Sequence, residues 1–419
     1  MVRTKPRGGP RRRPSSSIRP SYQAPRLESA TRLECAAHDP TPVDFASLNL
    51  DERLCRAVAA RGFTQTTPIQ SATFPLIRGG ADVIACAQTG TGKTAAFLLP
   101  IMHRLLASRG PGGHAGRATS TRMLVLAPTR ELAVQIDTDF DGFAYETDLS
   151  SIAVYGGVGA SPQVHALRAP ADVVVATPGR LLDHLRSGAT RFDGLEVLVL
   201  DEADRMLDMG FWPDVRRIVE SLPAKRQTLF FSATMSDDVF RSAAQIMRDP
   251  LMIRIGGSGG GVASAITHHV HQVPSADKTA WLAAFLRRTG GSTLVFTRTK
   301  RGADRLSRRL GAAGVRCAAI HGDRTQGQRT VAIEGFRAGR YTTLVATDIA
   351  ARGLDIDGIR HVVNYDLPDG PDSYLHRVGR TGRMDAAGTA LTLIAAEEVR
   401  ALRAIEQSLK IQLRESQAI

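Results

Sequence analysis

Cysteine is scarce in this chain. Cys35, Cys55, Cys86 and Cys317 are the only four in 419 residues. They lie far apart with no CxxC pair, which argues against a zinc ribbon and against a dense disulfide framework. A reducing, cytoplasmic compartment is therefore expected. No apolar run approaches the roughly 18 residues that a membrane-spanning helix needs, so an integral membrane protein is excluded. No repeat of 20 to 50 residues is evident, which removes solenoids and propellers. No apolar stretch follows the N-terminal charges, so a secretory signal is not expected.

What is present suits a soluble, two-domain protein: 43% apolar and 23% charged residues over a length beyond that of one ordinary core. The net charge of +13 favours a polyanionic partner. Nine basic side chains stand against Glu28 alone in residues 1–32. That segment is rich in Arg, Pro, Gly and Ser and cannot bury enough apolar surface to offset its ordering entropy, so 1–41 reads as a disordered basic tail. An organellar targeting peptide is the competing reading. Pro6, Pro10, Pro14 and Pro20 oppose the amphipathic helix that such a peptide forms.

From residue 42 onward, short apolar runs alternate with helical patterns, the sign of parallel sheets covered by helices. Strands are expected at Asp82 to Ala87, Met123 to Ala127, Asp172 to Ala176, Val197 to Leu200 and Thr228 to Phe231. Leu132, Ile136, Phe140 and Phe143 recur at helical spacing. A second set of strands is expected at Thr293 to Phe296, Thr342 to Ala346, His361 to Asn364 and Ala390 to Ile394, with Trp281, Leu282, Phe285 and Leu286 on its first helix. Between the sets, Gly256 to Gly261 holds too much glycine for a core. The expected division is a nucleotide-binding domain over 42–255, a linker over 256–264, a smaller α/β domain over 265–400, and a C-terminal helix or short tail over 401–419.

The first expected strand runs into Ala87-Gln88-Thr89-Gly90-Thr91-Gly92-Lys93-Thr94, the strand, glycine loop and helix start of a phosphate-binding loop. Glycines let backbone N–H groups face a phosphate, and the helix adds its positive end. Lys93 is placed for the β- and γ-phosphates of a nucleotide, and the Thr94 hydroxyl for magnesium. Ala87 replaces the first glycine of the strict pattern. The strand Val197 to Leu200 ends in Asp201-Glu202-Ala203-Asp204, carboxylates at the edge of a parallel sheet where such folds bind ligands. Asp201 then holds magnesium and Glu202 orients and deprotonates the attacking water. An acidic helix N-terminus, favoured by the helix dipole alone, is the bland alternative.

Together, AQTGTGKT and DEAD resemble the DEAD-box branch of the superfamily 2 RNA helicases, in which Ala commonly opens the loop. The resemblance covers roughly residues 42 to 395, with about a dozen motifs in the family's order. It implies two tandem RecA-like domains, each a mainly parallel sheet flanked by helices. In it Phe63, Thr67 and Gln70 belong to the adenine-reading segment, an amide at Gln70 donating to and accepting from the base edge. Phe45 matches the isolated aromatic that stacks on the base, or is core. Pro128, Thr129, Arg130, Gly156, Gly157, Thr177, Pro178, Gly179 and Arg180 match RNA contacts of the first domain; Thr297, Arg298, Gln326, Arg329, Thr347 and Asp348 match those of the second. Ser232 and Thr234, with Asp204, Arg352, His376 and Arg377, match the groups that couple hydrolysis to strand separation. Asp355 is expected at the ATP ribose, and Arg380 and Arg383 match the arginine fingers. A basic loop on a solvated surface is the alternative for the last cluster. Phe296 to Lys300, His321 to Asp323 and Gln326 to Arg329 look like the bacterial RhlE-type enzymes.

The implied function is ATP hydrolysis stimulated by RNA, with local separation of short duplexes or remodelling of RNA–protein complexes as the two domains close. ATP, Mg²⁺ and RNA are the implied ligands, and ribosome-assembly or RNA-degradation complexes are conceivable partners. An RNA clamp that holds without net unwinding is the main rival. A DNA helicase is disfavoured by the motif set, and a GTPase by the lack of an NKxD base-reading motif.

Overall fold

The computed structural model describes residues 40–88, 90–108, 120–169, 171–255, 266–351, 358–382 and 387–415. The expected glycine linker and nearly all of the expected tail lie outside these residues. Two seven-stranded sheets form the frame. The first holds β1 (Val83–Cys86), β2 (Met123–Leu126), β3 (Ser151–Val154), β4 (Val173–Ala176), β5 (Val197–Leu200), β6 (Gln227–Ser232) and β7 (Leu251–Arg254). The second holds β8 (Ile266–Gln272), β9 (Thr293–Thr297), β10 (Cys317–Ile320), β11 (Thr343–Thr347), β12 (His361–Asn364), β13 (Gly388–Ile394) and β14 (Arg414–Glu415). Every pairing is parallel, in the orders β3-β4-β2-β5-β6-β1-β7 and β10-β11-β9-β12-β13-β8-β14.

The central strands are continuous apolar runs because helices cover both of their faces. Along β1, Val83 and Ala85 enter one core and Ile84 the other. Along β5, Val199 faces the first core, and Leu198 and Leu200 the second, as the two-residue period of a strand requires. The helix Arg130–Ala144 buries Leu132, Ile136, Phe140 and Phe143 against the first face. The second sheet divides in the same way, Val295, Val345 and Val363 on one side and Leu294, Phe296 and Leu344 on the other.

The expected strands appear as β1, β2, β4, β5 and β6, then β9, β11, β12 and β13, with ends shifted by up to two residues. Five strands were not anticipated: β3, β7, β8, β10 and β14. Four of these are sheet edges, three partly buried and β14 exposed, so they lack an unbroken apolar run. The fifth, β8, reads ITHHVHQ and carries its polar residues within the sheet.

The strand order decides where chemistry can occur. Since β5, β6 and β1 are consecutive neighbours, the loops leaving their C-terminal ends meet at one edge. Those loops are the glycine loop, the Asp201 to Asp204 segment and the Ser232 to Thr234 segment.

Candidate nucleotide and RNA site

The glycine loop is held by left-handed backbone at Gly90 and Gly92, each with φ of 83°. Gly92 is required twice over, since a Cβ there would lie 2.5 Å from the Gln70 amide nitrogen. That amide donates to the Gly92 carbonyl at 3.0 Å, while its oxygen accepts from the Thr67 N–H at 2.9 Å. Gln70 thereby ties the upstream segment to the loop. Thr91 donates to the Gln88 carbonyl, and Lys93, first residue of the helix Lys93–Ala107, donates from Nζ to the Ala87 carbonyl at 2.9 Å. Thr94 follows on the same helix, half-buried, and Thr89 lies outside the described residues.

Beside the loop, Asp201 is 2% exposed and accepts from the Glu202 N–H at 2.9 Å. Burial pushes its carboxyl up to about 6, against the pull of Lys93 and with Glu202 adding to the rise. Glu202 stands in left-handed backbone, φ 52°, and caps the short helix Ala203–Asp208. Its Oε2 is ion-paired with Arg205, both side chains buried. Asp204 accepts at one oxygen from Ala233 N–H, Thr234 N–H and Thr234 Oγ1, at 2.9 to 3.1 Å. Burial opposes its ionisation, but Lys93, Arg205, His376 and the Thr234 hydroxyl together hold it below the usual range. Ser232 closes the adjacent turn by donating to the Thr234 carbonyl.

Phe45 and Phe63 pack as a pair, ring centroids 6.4 Å apart. Phe45 is 5% exposed and Phe63 is 42% exposed, so Phe63 presents the open ring. Around the first sheet edge, Pro128 and Pro178 are buried, and Thr129 caps its helix by accepting from Leu132 N–H. The Arg130 guanidinium lies against Gly156 and Gly157, where a Cβ on Gly157 would meet it at 1.8 Å. Arg180, after Thr177 and Gly179, donates to the Val158 carbonyl at 3.0 Å.

In the second sheet, Arg298 follows Thr297, donates from its backbone to Asp366 at 2.8 Å, and reaches the Leu367 carbonyl with its guanidinium. Arg377 is 2% exposed and grips both oxygens of Asp348, at 2.6 and 2.8 Å. It also donates to Asn364 and the Asp366 carbonyl and lies over the Phe296 ring. Thr347, adjacent, and Arg380 are both buried. Arg352, Asp355 and Arg383 lie outside the described residues.

Among the described residues, the two halves meet at Glu131. Arg329 pairs with Glu131 at 3.0 Å, each side chain 10% exposed, and Gln326 donates to the same carboxylate at 3.4 Å. His376 bears electrostatically on Asp204. Sequence reasoning passed over Arg205, whose signal was its i,i+3 spacing from Glu202, and over the pairing of Glu131, whose partner is 198 positions away.

Family models match in the same order as these features: the DEAD/DEAH box helicase over residues 67–242 and the helicase conserved C-terminal domain over 277–385. The chain is 42% identical over 375 residues to the ATP-dependent RNA helicase CshA of Listeria monocytogenes, covering 89% of this chain and 70% of that protein. This chain belongs to the DEAD-box RNA helicase family. This helicase is also 40% identical over 369 residues to the CshA protein of Bacillus subtilis, covering 88% of one and 73% of the other. Its fold matches S. cerevisiae Dbp5 bound to RNA and ADP BeF3 with a TM-score of 0.79 and 31% identity, over 89% of this chain and 95% of that one.

The buried Asp201 generates a stability prediction for this helicase. Its carboxyl ionises at higher pH in the fold than the ordinary 3.8, so the fold loses stability as pH rises from about 4 to about 6, with no further loss above. Without nucleotide, Asp201→Asn should be more stable than the parent at pH 7, by an amount on the order of 3 kcal/mol, and the difference should vanish below about pH 4. Thermal unfolding of both proteins across that range measures it. Equal stability at pH 7 would mean the Asp201 charge is already compensated.

Proposed function

We propose that the chain binds ATP and RNA together between its two sheets, and that closure around both drives hydrolysis and local RNA strand separation or remodelling. The chain is an ATP-dependent RNA helicase by family. The observation that carries the mechanism is the division of parts. The glycine loop, Asp201 and Glu202 stand on the first sheet, while from the second Arg329 pairs with Glu131 of the first and the charge of His376 acts on Asp204.

In this reading Lys93 and the N–H groups of Gln88 through Thr94 take the phosphates, Gln70 reads the adenine, and Phe63, backed by Phe45, supplies the stacking ring. Asp355 serves the ribose. Asp201 and Thr94 fit a magnesium ion. Among the described residues no cluster of three His, Cys, Asp or Glu can hold a metal alone. A magnesium ion held by Asp201 and Thr94 would therefore need ligands from outside the protein. Bound there, it neutralises phosphate charge. Glu202, one oxygen held by Arg205, orients the attacking water and takes its proton; Arg380 and Arg383 stabilise the transferring phosphoryl group.

RNA lies along Arg130, Gly156, Gly157, Thr177 to Arg180, Arg298, Gln326, Arg329 and Thr347, contacts to sugar and phosphate rather than to base edges. Asp204 with Ser232 and Thr234 on one side, and His376 with Arg352, Arg377 and Asp348 on the other, transmit the state of the nucleotide to that path. The domain limits are 42–255 and 265–400, and the subgroup is the bacterial RhlE type, acting in the cytoplasm. No described helix is long and apolar enough to cross a membrane.

Two variants test the assignment. Glu202→Gln should keep ATP and RNA binding while reducing turnover to a few per cent, because the base goes and the metal ligand stays. Retention of half the parent's turnover would remove Glu202 from the role. Arg380→Ala should lower RNA-stimulated turnover on the order of 10³-fold with little change in nucleotide affinity. An unchanged rate would leave the second half without a part in the chemistry. Duplex separation by the parent protein distinguishes the helicase from the clamp.

A further inference from the structure

The proposed nucleotide and RNA contacts lie at one edge of each sheet, where strands end. In a parallel sheet the helices return to the opposite edge, so helix C-termini and strand starts gather there. At that edge of the second sheet the returning segments are rich in arginine. Arg287 and Arg288 end the helix Lys278–Thr289 ahead of β9. Arg316 immediately precedes β10, and Arg337 and Arg340 stand between the helix Gln326–Arg337 and β11. Arg360 immediately precedes β12. All six are exposed.

Strand order makes these corners neighbours, since β10, β11, β9 and β12 are consecutive. Contacts join them directly. Arg287 donates to the Ala313 carbonyl at 2.9 Å and Arg316 to the Gly339 carbonyl at 3.2 Å. The Arg360 side chain packs over Gly291, where a Cβ would lie 2.9 Å from its Cδ. A carbonyl that accepts one N–H leaves the guanidinium charge in place. Glu334 stands one turn before Arg337 on the same helix. Four strands at about 4.8 Å spacing make the row about 15 Å long. Strands of four or five residues separate it from the motif loops.

Charge in the chain follows the same division. Residues 42–255 hold 22 basic and 23 acidic side chains, and residues 265–419 hold 23 and 15. Of the two halves, only the second is therefore basic. The large apolar side chains exposed among the described residues are Val43, Phe63, Val134, Tyr145, Val158 and Val331, none of them at this edge. A protein partner would ordinarily be anchored by aromatic or aliphatic groups, whereas a phosphate backbone needs only the guanidinium forks.

We propose that this edge is a second RNA-binding surface, taking the phosphate backbone of a segment that flanks the RNA held between the sheets. The inference rests on RNA as the substrate and not on which cleft residues touch it. Contact here is sequence-independent and salt-sensitive, and lends affinity for structured or long RNA without entering the hydrolysis step.

The test uses the full chain with Arg287, Arg288, Arg316 and Arg340 changed to Gln. Two RNAs are compared: a single strand of about ten nucleotides, close to the footprint of one compact single-strand site, and the same strand extended by a hairpin. The variant should bind the extended RNA on the order of tenfold or more weakly at low salt, with a log–log salt slope shallower by about 3, from four lost phosphate contacts. Affinity for the short strand, ATP turnover at saturating short strand and thermal unfolding should match the parent. Replacement of the same four by Lys should retain most of the slope. Should the fourfold variant fail to fold, Arg316→Gln with Arg340→Gln gives the same comparison at about half the slope change. Equal losses on both RNAs would show that the effect passes through the cleft. No loss on either would overturn the proposal and leave an acidic protein as the partner.

Discussion

Three carboxylates within one turn of chain are buried at the edge where β5, β6 and β1 meet, and the rest of the site depends on how each charge is met. Glu202 is paired with Arg205, a buried pair whose breaking costs about 3 to 5 kcal/mol. Asp204 is met by two backbone amides and a hydroxyl from the segment after β6. Asp201 has its neighbour's amide and the field of Lys93, too little to offset burial. The first two arrangements fix structure, one orienting an oxygen of Glu202 and the other locking the Asp204 segment to Ser232 and Thr234. The third leaves a demand for positive charge that a cation arriving with a nucleotide can meet.

The second half is organised around one cation rather than three anions. Arg377 holds Asp348, Asn364 and the Asp366 carbonyl together, so the loops after β11 and β12 share one anchor. Asp366 in turn accepts from the backbone of Arg298, after β9. Displacing any of these loops disturbs the others, which suits a surface that must present several backbone contacts to RNA at once. The helix Gln326–Arg337 then offers Arg329 to Glu131, carrying this unit to the first sheet.

The centre of the first sheet was legible because strands covered on both faces are apolar throughout, as in β2, β4 and β5, and the second sheet's β11 keeps an apolar centre between two threonines. Edge strands such as β3 and β10 escaped because half their surface is free to be polar or small. The site was legible for a different reason: phosphate and water chemistry restrict the residues of the glycine loop and of Asp201 to Asp204 to few types at fixed spacing. Partners drawn from distant chain positions carry no such pattern. Nothing local to Glu131 announces Arg329. Arg205 was readable in principle, since i,i+3 spacing on a helix sets a cation beside Glu202. The division between Phe45 and Phe63, one ring buried and one open, required the packing itself.

If the two halves act as one machine, the ion pair between them must help to hold the closed form. RNA affinity in the presence of a non-hydrolysable ATP analogue, measured for Glu131→Arg, Arg329→Glu and the double exchange, tests this most directly. Each single reversal sets like charges in a buried contact and should weaken RNA binding at least tenfold, and the double exchange should recover the share of the loss that comes from the ion pair, leaving the share from Arg329 on the RNA, a coupling above about 1 kcal/mol. Losses that simply add in the double variant would contradict the account, placing Arg329 on the RNA alone and leaving closure to other contacts.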